Sequence, residues 1–289
     1  MRAHAFQIGT GWAAWSFDPA VVAGLVVAGA LYLRGVRRLR SSGALHGFTA
    51  GREAAFFLGL TTVAAAVMSP LDARSSGSFA LHMTQHMVLM LVSAPLVVYG
   101  APGVALGLGL PVALRRRVNR ILATRPFKRL TRILLLPLVV WALHTAALWA
   151  WHLPSLYEGA VSSYWLHALE HLALLGTAGL LWALVLPSPR GRRIDRGVAA
   201  GLVFITGLQS GALGVLLAFA ADPLYEGGVL GGALGLDPLA DQQLAGMLMW
   251  VPGGLLYLTT IAVLLYRWIE GMDAHMEAHP VALDSRKRS

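Results

Sequence analysis

The sequence predicts an all-α fold, a polytopic membrane bundle of seven transmembrane helices with its N-terminus outside and its C-terminus in the cytoplasm. Three observations carry that prediction. Of 289 residues, 56% are apolar and 13% charged, and the mean hydropathy is +0.63, too hydrophobic for an ordinary water-soluble domain. Seven stretches approach the roughly 20 mostly apolar residues that a spanning helix needs. The basic residues also segregate. With connections alternating between two sides, the first, third and fifth connections with their adjoining helix ends, together with the C-terminal tail, carry 21 of the 23 Lys and Arg. Only Arg2 and Arg74 fall opposite, and one missed helix would flip every later loop and destroy the split.

The spans are expected at 19–36, 53–69, 79–99, 132–151, 164–186, 198–220 and 242–266, in one domain over 1–270 followed by a polar cytoplasmic tail, 271–289. The second is the shortest, stopped by Pro70, and Pro154, Pro187 and Pro223 end later segments in the same way. Trp12, Trp15, Trp149, Trp151 and Trp165 then fall near the outer interface and Trp182 and Trp268 near the inner one, as aromatic belts do. After Tyr99 the run Gly100 to Leu114 is apolar but broken by Pro102, Gly107, Gly109 and Pro111, which reads as an interfacial or re-entrant piece before Arg115, Arg116 and Arg117. Gly207, Gly211 and Gly214 read as close packing of the sixth helix on a neighbour.

The formal charge of +9 could suggest nucleic acid, but the basic residues come in short bursts between apolar stretches, which reads as topology. The first apolar run is followed by Arg34, Arg37, Arg38 and Arg40 and reads as a retained anchor. The absence of cysteine rules out disulfides and thiolate ligands. Any metal must be held by His, Met, carboxylate or amide groups.

Polar side chains within spans are costly and tend to face the bundle interior, so the histidines are informative. His82 and His86 open the third span and His167 and His171 the fifth, each pair four residues apart and so stacked on one helix face about 6 Å apart along the axis. His144 and His152 lie near the outer end of the fourth span. Because the third, fifth and seventh helices run inward and the fourth outward, all three pairs sit in the outer leaflet. At ~1.5 Å per residue, His86, His144 and His171 share a depth of about 10–12 Å. Asp241, Gln242 and Gln243 stand at the mouth of the seventh span, with Met247 and Met249 deeper. The expected ligands are therefore His82, His86, His144, His152, His167, His171, Met83 and Met247, with Glu170, Gln243 and Asp241 holding them in place. His4, His46, His275 and His279 lie outside the cluster or on the other side.

Imidazole suits copper and zinc, and thioether favours Cu(I), so copper is the first choice and zinc the second. Haem is the alternative that two axial histidines would serve, although an i, i+4 pair suits one small ion better. His167-x-x-Glu170-His171 also matches the inverted zinc-protease pattern, in which Glu170 would activate water. Its plainer role is to orient a ligating histidine.

At these residues the chain resembles the CtaG-type family of cytochrome c oxidase assembly factors. The resemblance rests on Ser69-Pro70-Leu71-Asp72, His82-Met83 to His86-Met87, Ala94-Pro95-Leu96, Gly100-Ala101-Pro102, Trp151-His152-Leu153-Pro154 with Tyr157, His167 to Glu170-His171, and Asp241-Gln242-Gln243 to Gly246 with Met249 to Gly254. It covers roughly residues 50 to 268. It implies a seven-span protein of a bacterial plasma membrane, a role in maturing a haem–copper oxidase at its copper step, and oxidase subunits and a copper donor protein as partners.

Overall fold

The computed structural model describes residues 6–8, 13–42, 47–189, 191, 193–225 and 232–278. His4, His46, His279, Arg2, Trp12 and Arg192 lie outside these residues. The chain is an all-α helical bundle. Among the described residues six helices are long and apolar enough to cross a membrane, and seven if one bent pair counts as a single span.

The chain enters through a short antiparallel pair that the sequence reading did not anticipate, β1 (Phe6–Ile8) on β2 (Trp15–Phe17). Asp18 then caps α1 (Pro19–Ser41), accepting from the backbone N–H groups of Ala20 and Val21. The second span is α2 (Ala50–Met68), continued past Ser69 by the short α3 (Pro70–Ser75). The third has three parts, α4 (Phe79–Met87), a π-helical segment Val88–Ser93, and α5 (Ala94–Tyr99). Pro95 explains the break: it has no N–H to give and its ring crowds the carbonyl one turn back, which a wider turn relieves. The loosened stretch is used for packing, since the Trp182 indole N–H donates to Met90 O at 3.0 Å.

The Gly/Pro-broken run becomes α6 (Pro102–Gly109), entered through Ala101 in the left-handed region at φ 52°. It packs along α1 so closely that a Cβ on Gly35 would lie 1.8 Å from Ala105 O and one on Gly109 1.9 Å from Leu31 O. The Arg38 guanidinium closes this junction, donating to Leu108 O and to Leu110 O. Two exposed basic helices follow, α7 (Val112–Leu122) and α8 (Arg125–Leu134), with arginines beside exposed Ile121, Leu130 and Ile133. Such faces suit the lipid–water boundary.

The expected span 132–151 is divided. Leu136 is extended before Pro137, as a residue preceding proline tends to be, so α8 and α9 (Pro137–Trp151) meet at 70°. At ~1.5 Å per residue α9 is about 22 Å long, short for a bilayer crossing. After α10 (Pro154–Ser162) come α11 (Tyr164–Val185), α12 (Arg196–Ala218) and α13 (Pro238–Ala278). Helix α13 runs beyond residue 271, into the stretch expected as a polar tail. The glycines of α12 serve close packing: Gly207 faces Tyr257, and Gly214 and Gly246 bring the α12 and α13 backbones together, Gly246 so tightly that a Cβ there would lie 2.4 Å from Ala218 N.

Candidate functional site

Asp241, fully buried on α13, fixes where the third span begins. Its carboxylate accepts from Ser78 Oγ at 2.6 Å, Phe79 N at 2.6 Å and Ala80 N at 3.3 Å, so it caps α4 from another helix. One turn further along α4, Gln85 donates to Ala66 O at 2.8 Å and to the buried Asp72 at 2.9 Å, which fixes the rotation of α4 against α2 and α3. The face left for the bundle interior carries His82 and His86, each 1% exposed.

Helix α11 brings the facing side chains. His167, Glu170 and His171 share one face because i, i+3 and i+4 positions do. Glu170 is fully buried and lies against both α4 histidines, its oxygens 3.3 and 3.4 Å from His82 Nε2 and 3.6 Å from His86 Nε2. The rings form a ladder with centroid separations of 4.3 Å for His82–His86, 5.2 Å for His82–His167, 5.5 Å for His86–His171 and 4.2 Å for His167–His171. One ligand atom from each of His82, His86, His167 and Glu170 lies within 4.8 Å of the other three. For ligands ~2.0–2.2 Å from an ion, tetrahedral edges are about 3.3–3.6 Å, so the Glu170 contacts already have the spacing of shared coordination. The donor set fits a small cation bound by imidazole and carboxylate. Rings this close leave no slot for a porphyrin plane between them.

Not every expected ligand joins this group. Glu170 was expected chiefly to orient a ligating histidine, and its carboxylate stands among the converging ligand atoms themselves. His144 is buried, but its Nδ1 donates to Thr177 Oγ1 at 3.0 Å, the Thr177 hydroxyl spending its own proton on Ala173 O at 2.8 Å. That is a satisfied interhelical hydrogen bond. His152 turns elsewhere too: its Nδ1 donates to Leu148 O at 2.7 Å, which leaves the Nε2 lone pair facing Met83 Sδ at 3.1 Å. Two lone-pair bases in buried contact form a soft N/S pair behind the main cluster. Met247 is 47% exposed and points away, whereas Asp241, Ala245 and Met249 form the buried face of α13. Gln243 donates to Ala220 O at 3.1 Å and ties α13 to the loop after α12, while Asp241 acts on the cluster through the cap of α4. Of the histidines set aside, His275 has only its backbone described.

Aromatic residues close the site, and the sequence reading did not count them as site residues. Tyr157 of α10 meets His82 edge-on at 5.2 Å and Phe79 at 4.9 Å, and Tyr225 packs on both Phe79 and Tyr157 while donating to His152 O at 3.0 Å. Burial first, then the neighbouring Glu170, Asp241 and Tyr225, pushes the Tyr157 phenol above its ordinary value. The signal for Tyr157 was available in its place shortly after the Trp151-His152-Leu153-Pro154 turn.

Uncharacterized proteins of Mycobacterium bovis and Mycobacterium tuberculosis are each 26% identical to this chain over 267 residues, and one of Mycobacterium leprae is 25% identical over 271. Each match covers 88% of this chain and 39% of the relative, so the chain spans about two fifths of the length of the curated relatives it matches. No solved structure matches it. The family model that matches takes in residues 30–271, from within α1 to Gly271 of α13, and with it every residue of the histidine cluster: the chain belongs to the cytochrome c oxidase caa3 assembly factor family (Caa3_CtaG).

Proposed function

We propose that this protein helps to mature a haem–copper cytochrome c oxidase by holding copper, as cargo, on the buried cluster and passing it to an oxidase subunit at the outer face of a bacterial plasma membrane. The observation that carries this reading is the convergence of His82, His86, His167 and Glu170 from two spanning helices. The imidazoles supply neutral nitrogen ligands that can be kept in low dielectric cheaply, and Glu170 supplies negative charge against a divalent ion. Asp241 and the Gln85–Asp72 pair keep α4 in register, so the site is preformed. The Met83–His152 pair beside it offers soft donors suited to Cu(I). A copper donor protein on the same side is the natural source.

On this reading His86→Ala lowers the copper content of detergent-purified protein by about tenfold or more, a loss at least as large as removing an orienting partner. His144→Ala, whose side chain is committed to Thr177, leaves it near wild type. Elemental analysis at equal expression checks both, and equal copper in all three proteins would sink the site. The orientation is tested separately. Reporters at Asp72, Tyr157 and Asp237 are expected outside and those at Arg116 and Arg192 in the cytoplasm, following the segregation of basic residues. A cytoplasmic signal from Asp237 would overturn the seven-span topology.

A further inference from the structure

Between α1, α2 and α11 a side crevice of about 420 Å³ leads into the bundle. It exists because α1 leans on α6 and leaves the outer half of α11 uncovered. Its roof is polar, formed by Ser16, Asp18 and Tyr164, the Tyr164 hydroxyl donating to the Asp18 carboxylate. Further in, the walls are apolar apart from the two histidines and the buried Asp72, whose carboxylate accepts from Gln85. Among the cluster residues only His167 and His171 line it. His82, His86 and Glu170 lie behind them, at most 1% exposed, while His167 and His171 are only half-buried.

We infer that this crevice is the passage by which metal is loaded onto the buried cluster and withdrawn from it, with His167 and His171 as the first ligands met and His82, His86 and Glu170 as the last. The inference rests on the metal-holding reading above. A bare ion in an apolar channel is costly, so it must move from ligand to ligand, one bond to an imidazole forming as one to the outgoing ligand breaks, with no change of oxidation state. The ladder is built for that, since each outer ring stands against an inner one, His167 beside His82 and His171 beside His86. The volume exceeds what one ion needs and leaves room for water or for a ligand side chain of a donor to follow it in.

Gly24 gives the test. It lines the crevice, and a Cβ there meets nothing within 4 Å, so a large side chain can enter without displacing backbone. In Gly24→Phe, loading from Cu²⁺ and release of bound Cu²⁺ to excess EDTA, followed by elemental analysis of timed samples, are both expected to slow by about tenfold. The ratio of the two rates, and so the affinity, stays near wild type, because a plug raises one barrier in both directions. Gly24→Leu should give a smaller effect in the same sense. Gly176→Phe, on the exposed flank of α11 where a Cβ also meets nothing, should exchange as wild type does. Unchanged rates in Gly24→Phe, or slow loading with faster release, would overturn the passage while leaving the cluster intact. Wild-type protein that takes up no copper would overturn the metal-holding reading itself.

Discussion

Replacing Asp241 by alanine is expected to destabilise the protein by about 3–5 kcal/mol, since two short hydrogen bonds to a carboxylate are worth ~1.5–3 kcal/mol each when their donors are left buried without a partner. The carboxylate takes the Ser78 hydroxyl and the first two N–H groups of α4 at once. An uncapped helix end inside a membrane protein has no water to turn to. Asp241→Asn separates the bonds: its oxygen can keep Ser78 Oγ and Ala80 N, while its amide nitrogen faces Phe79 N, donor against donor. Asn should therefore keep roughly half of the stability that Ala loses. Because His82 and His86 follow this cap by one and two turns, metal uptake should fall with it in the same order, wild type, Asn, Ala. Thermal melting in detergent with elemental analysis reads both effects. Alanine protein that melts as wild type does would mean that the α4 terminus is held by something other than Asp241.

The four-residue histidine spacings were legible because helix geometry alone places i and i+4 on one face. The bundle assignment was legible because the basic residues count topology independently of hydropathy. What failed did so through rotation about helix axes, which depth along a helix does not report. His144 and His152 are eight residues apart, about 80° past two full turns, so the two do not share a face and each finds its own partner. Met247 lies two residues, about 200°, from the buried Met249, so both cannot face inward. The fully buried Asp241 and Ala245, eight and four residues before Met249, would have chosen between them. Glu170 was legible as a neighbour of His171 but not as a neighbour of His82 and His86, because that contact depends on how α4 and α11 turn toward each other. Gln85 and Asp72, which fix that turn on the α4 side, became interpretable only through their hydrogen bond.

Glu170→Gln is expected to weaken binding of a divalent ion such as Cu²⁺ or Zn²⁺ by about 100-fold or more, beyond what loss of an orienting partner ordinarily costs. Glu170 is the one anion among the four residues whose ligand atoms converge. Without it, a doubly charged ion would sit in low dielectric among neutral imidazoles. Cu⁺ carries half that charge and is content with imidazole and thioether, so its affinity, measured anaerobically against a competing chelator, should fall far less. The amide keeps the volume and shape of the carboxylate, which separates this effect from the cavity that alanine would leave. Metal-free Glu170→Gln protein should melt no lower than wild type, because a carboxylate buried without its cation is a desolvation burden that an amide relieves. Stability without metal and affinity for metal should thus move in opposite directions. Equal weakening for Cu⁺ and the divalent ions would mean that Glu170 acts through the orientation of His82 and His86; no weakening for any ion would remove it from the site.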